Sequence, residues 1–298
     1  MASPSLNPQA LFAVNGLVAV VTGGHNGVGL MITKALEENG ATVFIIGRRK
    51  EKLEEAAKTE AKHGKIIPIQ GDITSKADLT RIVSTIKEHP LSGGYVNLVI
   101  ANAGAMGPEP PASLDANQPA SSRASLNDAY ELLWAPEVAD FNSVLETNVA
   151  GSYFTAVAFL PLLDAGNAAG NVSQSSQIII MGSASAYSRL ASSKFAYGAS
   201  KAGTNDLVKR LSTTLAMYRI RVNSIVPGIF PSHMTEHVIQ FLNANPEAAK
   251  AILPVGRPGN IQDMAGLTLW LSSNAGGYVT GSIVLSDGGV LSVTPASY

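Results

Sequence analysis

Tyr197 and Lys201 lie one helical turn apart in the run Phe195-Ala-Tyr-Gly-Ala-Ser-Lys-Ala-Gly203. That spacing sets a phenol and an ammonium on one helix face. A free tyrosine titrates near ~10 and is a poor proton shuttle at neutral pH. A positive charge about 4 Å away, at an effective dielectric of about 20, favours the phenolate by up to ~4 kcal/mol, or ~3 pKa units. The pair is therefore expected to hold a phenol near working pH, where general acid–base catalysis is efficient. A surface tyrosine and a solvated lysine also share such a spacing by accident, so the rest of the chain must supply the context.

A second feature supplies part of it. Thr22-Gly-Gly-His-Asn-Gly-Val-Gly29 closes the first apolar run and opens a helix pattern. Glycine allows a tight turn and a close backbone approach to a phosphate, and a helix N-terminus offers free N–H groups at its positive end. Gly23, Asn26, Gly27, Val28 and Gly29 are thus candidate dinucleotide contacts. The second run ends Ile46-Gly-Arg-Arg49. An acidic residue at that strand end would bind the ribose hydroxyls of NAD; here Gly47 stands in its place and Arg48 follows. Arginine suits the 2′-phosphate of NADP by charge and by its fork of donors, so NADP is favoured over NAD. Asp72, after the third run, is either an adenine contact or a helix cap. Asn102-Ala-Gly104, after the fourth, is a small-residue turn against which a cofactor could lie. The chain has no cysteine, which excludes disulfides and thiolate catalysis. Of the five histidines only His233 and His237 share a helix-like spacing, with no further ligand pattern, so no metal site is expected.

These groups need a scaffold. Short apolar runs rich in β-branched residues occur at Val18–Val21, Val43–Ile46, Ile66–Ile69, Leu98–Ala101, Ile178–Met181, Arg221–Ile225 and Ile283–Leu285. Continuous apolarity fits strands buried on both faces of a parallel sheet. Helix patterns fall between them at 28–39, 50–63, 76–89, 139–163, 195–218, 235–250 and 261–272. The alternation predicts a doubly wound, Rossmann-type α/β fold over residues 1–298 as one domain, with ligands outside the carboxyl ends of the strands. Residues 106–136, rich in Pro, Ala, Ser and Asn, read as a loop insertion, and 164–176 as a plain surface loop. A net charge of −1 favours neither nucleic acid nor a polybasic membrane contact. The N-terminus lacks the pattern of a signal peptide and no apolar stretch approaches ~20 residues, so a cytoplasmic protein is expected.

Taken in order, the TGxxxGxG run at 22–29, the NAG turn at 102–104, Asn148 in Glu146-Thr-Asn-Val-Ala-Gly151, YxxxK at 197–201 and the Pro227-Gly228 turn resemble the classical short-chain dehydrogenase/reductase family. The resemblance runs from about Leu11 to Gly289. It implies a catalytic tetrad. Tyr197 would be the acid in reduction and the base in oxidation. Lys201 would lower its pKa and hold the nicotinamide ribose, and Asn148 would keep a proton-relay water near the lysine. Ile180-Met-Gly-Ser183 matches the family's strand-end serine, although Ser183 lies fourteen residues before Tyr197 where about thirteen is usual; Ser185, at twelve, is the alternative. Ser232 falls where the family has a threonine that meets the nicotinamide carboxamide. Ala101 replaces a common asparagine.

The implied function is NADP-dependent reduction of a carbonyl, a hydrophobic ketone or 3-oxoacyl-like compound, to an alcohol. Phe230, Met234, Val238, Phe241 and Leu242 would supply an apolar wall. The alternatives are an NAD-linked alcohol dehydrogenase and a catalytically idle cofactor-binding scaffold. The family usually assembles as homodimers or homotetramers through helices that would be 139–163 and 195–218. The Leu207, Leu211 and Leu215 face of the second suits either core or subunit interface.

Overall fold

The computed structural model describes residues 6–107, 124–190 and 194–298. Seven strands form one parallel sheet: β1 (Val18–Thr22), β2 (Thr42–Gly47), β3 (Ile66–Gln70), β4 (Leu98–Ala101), β5 (Gln177–Met181), β6 (Arg221–Pro227) and β7 (Ile283–Ser286), in the order β3-β2-β1-β4-β5-β6-β7. β1 pairs with β2 on one side and β4 on the other, Val20 standing beside Phe44 and Val99. The chain winds outward from this pair in both directions, which opens a crevice above the carboxyl ends of β1 and β4.

Helices cover both faces, so neighbouring residues of one strand enter different cores. Val18 and Val20 pack with Phe44, Val99 and Ile178, while Ala19 and Val21 pack with Ile32, Ile45 and Ile100. This explains why β1, β2, β4 and β5 read as continuous apolar runs rather than alternating ones. Leu211 and Leu215 lie in the first of these cores beside Val208, and Leu207 packs against it; that leucine face is the chain's own core.

Several element boundaries differ from the sequence reading. The span 139–163 is not one helix. It runs as Val138–Leu145, a π-turn Glu146–Ala150, Gly151–Ala158 and then Leu160–Ala169. Pro161, without an N–H, starts the last piece, and the π-turn surrounds Asn148. The same piece overturns the plain loop at 164–176, because helix continues to Ala169 and stops at Gly170 in the left-handed region (φ 60°). The span 235–250 breaks into Glu236–Ala244 and Pro246–Ile252, again at a proline. Within the expected 106–136 insertion, residues 108–123 lie outside the described residues, and Leu126–Trp134 is helical rather than loop. Its start is a reciprocal cap between Ser125 and Asp128.

Candidate active site

The glycine turn is built by contact distance. A Cβ on Gly29 would stand 2.2 Å from the Gly23 carbonyl oxygen and 2.4 Å from Asn102 Nδ2. Gly23 and Gly27 hold φ of 67° and 49°, where side chains are strained. The helix Gly27–Glu38 begins at Asn26 with no side-chain cap and no acidic residue in its first turn. Its first amides and dipole end are thus left to an anionic group. Asn102 Nδ2 donates to the Thr22 carbonyl (2.8 Å), and the Thr22 hydroxyl accepts from the amides of Asn102 (2.9 Å) and Ala103 (3.0 Å). These bonds lock the β1 and β4 turns together. Ser232 reaches the same turn from the far side: a Cβ on Gly27 would lie 2.9 Å from Ser232 Cβ.

A matched pair of substitutions measures how much this closeness matters. Gly29→Ala should destabilise the fold by about 2–4 kcal/mol and weaken dinucleotide binding more than tenfold, because backbone must move. Gly266→Ala, on a helix with nothing within 4 Å of its added methyl, should stabilise by about 0.5–1 kcal/mol. Urea melts and a dinucleotide titration of both variants check the contrast.

At the end of β5, the Ser183 hydroxyl shares a hydrogen bond with the Tyr197 phenol. Ser183 also caps the turn Ala184–Ala186 by accepting from the Ser185 amide (3.2 Å). Ser185 instead turns its carbonyl toward the Tyr197 helix, 3.2 Å from where a Gly198 Cβ would be. The structure therefore brings Ser183, not Ser185, to the phenol. The segment that follows is braced by the end of the chain. The Arg189 amide donates to the Pro295 carbonyl and the Ser297 amide to Tyr187, both at 2.8 Å, while the Tyr187 and Tyr298 rings meet edge to face at 5.0 Å.

Lys201 Nζ lies 5.7 Å from the Tyr197 ring centroid and donates to the Met181 carbonyl (2.7 Å). Burial pushes this ammonium down to about 8. Burial pushes the Tyr197 phenol up, and the Ser183 hydrogen bond pulls it back only in part. This corrects the expectation that Lys201 lowers the phenol. Desolvation is the largest cause for both groups, and the ammonium is engaged with the Met181 carbonyl at the β5 end.

Asn148 is fully buried in its π-turn. Its Oδ1 accepts from the Ala105 amide, and its Nδ2 donates to the Ala105 carbonyl and the Ser200 hydroxyl, each at 2.8 Å. Both amide protons are committed, so the side chain acts as a strut between the β4 turn and the Tyr197 helix. Gly104 fits under it, its missing Cβ 3.0 Å from Asn148 Oδ1 and 3.8 Å from Lys201 Nζ.

Arg48 and Asp72 line one hollow above β2 and β3 with Gln70, Asp78 and Arg81. Asp72 Oδ1 accepts from the Thr74 amide (2.9 Å) and hydroxyl (2.8 Å), while Ser75 is the cap of the next helix. Two residues that the sequence reading left without a role lie on the other side of Gly47. His25 Nε2 stands 2.9 Å from Arg49 Nη2, and the ring covers Gly47, 3.4 Å from where a Cβ would be. Their positions within the glycine turn and beside Arg48 were the available signal.

Comparison with known proteins gives the family of the chain. Residues 23–291 match a family model described as enoyl-(acyl carrier protein) reductase. The chain is 50% identical over 298 residues to short-chain dehydrogenase/reductase PhomF of Diaporthe leptostromiformis, covering 99% of this chain and 98% of that protein. The chain belongs to the short-chain dehydrogenase/reductase family. It is an oxidoreductase of the nicotinamide-dependent kind, with the Rossmann-type sheet of its relatives. A rhamnolipid-biosynthesis 3-oxoacyl-(acyl carrier protein) reductase of Pseudomonas aeruginosa is 32% identical over 93% of this chain and 97% of its own length. Among solved structures, the P. aeruginosa RhlG/NADP active-site complex superposes with a TM-score of 0.78 at 31% identity, over 94% of this chain and 98% of that one. Among the described residues no single helix is long and apolar enough to cross a membrane.

Proposed function

We propose that the protein is an NADP-dependent reductase that converts the carbonyl of a hydrophobic ketone or 3-oxoacyl-like compound to an alcohol. The observation that carries the reading is the hydrogen bond between the Ser183 hydroxyl and the Tyr197 phenol, with Lys201 buried behind the ring. The open helix N-terminus at Gly27 and the packed glycines fit a dinucleotide diphosphate. The nicotinamide supplies the hydride when bound. Ser183 and Tyr197 hydrogen-bond the substrate oxygen and polarise its carbonyl. Tyr197 then gives its phenolic proton to that oxygen as negative charge develops there. Lys201 would hold the nicotinamide ribose hydroxyls, and it stands 5.7 Å from the ring of the phenol as a positive charge. Asn148 positions rather than relays, because its amide protons are spent. Gly23, Asn26, Gly27, Val28, Gly29, Asn102, Gly104 and Ser232 line the cofactor path, with Asp72 at the adenine end.

Exposed Arg48 at the end of β2, with glycine rather than a carboxylate before it, supports NADP. The NADP complex of a 31%-identical solved structure supports the same cofactor, and the 3-oxoacyl name of the P. aeruginosa relative supports the substrate class. Exposed Tyr153 and Phe195 favour assembly into dimers or tetramers through their helices, which light scattering would register as a multiple of the chain mass. The cofactor assignment is tested by fluorescence titration. The native protein should bind NADPH more tightly than NADH. Arg48→Ala should weaken NADPH by about tenfold or more, the loss of one charge-assisted bond, and leave NADH unchanged. Equal NADPH affinity in the variant would remove Arg48 from the role.

A further inference from the structure

Residues Pro295–Tyr298 lie along the segment that leads from Ser183 toward Tyr197. The Arg189 amide donates to the Pro295 carbonyl (2.8 Å), and Ser188 forms an antiparallel bridge with Ala296. The Tyr187 carbonyl accepts from both the amide (2.8 Å) and the hydroxyl (3.2 Å) of Ser297, 110 residues away in sequence. The Tyr187 and Tyr298 rings meet edge to face at 5.0 Å. Tyr187, Ser188 and Arg189 are thus each held by this remote segment.

The serine turn is continuous with the residues so held. The Ser183 hydroxyl accepts from the Ser185 amide and the Ser183 carbonyl from the Ala186 amide, while the Ala184 carbonyl accepts from the amides of Tyr187 and Ser188. Support on the other side is thinner. The helix that carries Tyr197 starts at Phe195 behind Lys194, with no side-chain cap and no acidic residue in its first turn. The remote segment has its own anchor at the end of β6. A Cβ on Gly228 would stand 2.6 Å from Asp287 Cα, and the Asp287 carboxylate accepts from the amides of Gly289 (2.9 Å) and Leu291 (2.8 Å). The helical turn Val290–Val293 then leads into Pro295.

We infer that Pro295–Tyr298 is a strap that positions the Ser183 turn against Tyr197, clasped by the Ser297 amide and the Tyr298 ring. The strap ties the end of β5 to the turn that closes β6. Two hydroxyls must reach one substrate oxygen, so a small displacement of the serine turn costs rate while the glycine turn that meets the dinucleotide is untouched. The inference rests on the reading of Ser183 and Tyr197 as the carbonyl-polarising couple and adds positioning residues to it.

A matched pair at Ser297 isolates the clasp. Ser297→Pro removes the main-chain N–H at an exposed position, whereas Ser297→Ala keeps it and loses only the longer hydroxyl contact. Trypsin reads the strap without turnover, because Arg189 is exposed and its amide is held by Pro295. Cleavage after Arg189, located by mass spectrometry, should be at least about fivefold faster in Ser297→Pro, the effect of losing one main-chain bond on local opening, and near the native rate in Ser297→Ala. With a ketone found by screening, kcat of Ser297→Pro should fall at least about fivefold, that of Ser297→Ala should stay near native, and dinucleotide affinity of both should stay within about twofold. Cleavage in Ser297→Pro at the native rate overturns the strap. Faster cleavage with kcat unchanged overturns its positioning role and leaves the proposed function standing. A native protein that binds dinucleotide but reduces no carbonyl compound overturns the proposed function and the positioning role with it.

Discussion

Tyr197→Phe should lower kcat at least ~10³-fold while dinucleotide affinity stays within about twofold, because the change removes one hydroxyl and leaves the ring that packs beside Lys201. General acid catalysis contributes roughly 10²–10⁴-fold, and here the same oxygen also helps polarise the carbonyl through its bond to Ser183. The direction of the phenol's shift adds a pH prediction. A phenol raised by burial stays protonated through the neutral range, so carbonyl reduction, which needs the acid form, should be flat with pH there. Alcohol oxidation needs the phenolate and should rise with pH across the same range. Steady-state rates in both directions with a ketone and alcohol pair found by screening supply the measurement. An oxidation rate already level at neutral pH would mean that the phenol is lowered after all, and turnover retained in Tyr197→Phe would remove it from the chemistry.

Lys201→Met should abolish turnover and yet stabilise the fold at neutral pH. Lys201 is 4% exposed, so solvent screening gives no reason to discount its shift. A native pKa of about 8 against 10.5 corresponds to a destabilisation of about 3 kcal/mol while the ammonium is charged in both states. Losing its bond to the Met181 carbonyl costs about 1–3 kcal/mol of that back, leaving a net gain of order 1 kcal/mol for an apolar side chain of similar length. The sign is fixed by linkage. Between about 8 and 10.5 the unfolded chain binds more protons than the native one, so native stability rises with pH in that window. The advantage of Lys201→Met should therefore shrink by about 1 kcal/mol as pH rises from about 8 to 9. Urea unfolding of both proteins at several pH values tests this. A variant less stable than the native protein at neutral pH would show that the ammonium's bonds outweigh its desolvation.

The α/β order was legible because it rests on local patterns. Strands buried on both faces, such as Val18–Thr22, must be apolar throughout, and the glycines at 23, 27 and 29 are needed by a turn that allows no Cβ. Breaks inside helical patterns were less legible. The patterns at 139–163 and 235–250 continue across Pro161 and Pro246 because their apolar residues keep period while the backbone restarts. Leu126–Trp134 was hidden by the Pro- and Ser-rich composition before it, although its capping pair, Ser125 and Asp128, is visible in the sequence.

The sequence by itself determined which chemical groups are present, their order along the chain and the sheet that carries them, since composition and periodicity act over a few residues. Tertiary structure decided that Ser183 rather than Ser185 meets Tyr197, that Asn148 spends its amide on Ala105 and Ser200, and that Leu211 and Leu215 are core. It also raised the Tyr197 phenol by burial and set the His25 ring, bonded to Arg49, over Gly47. Each of these depends on distance and desolvation between segments far apart in the chain, and spacing along the chain carries neither.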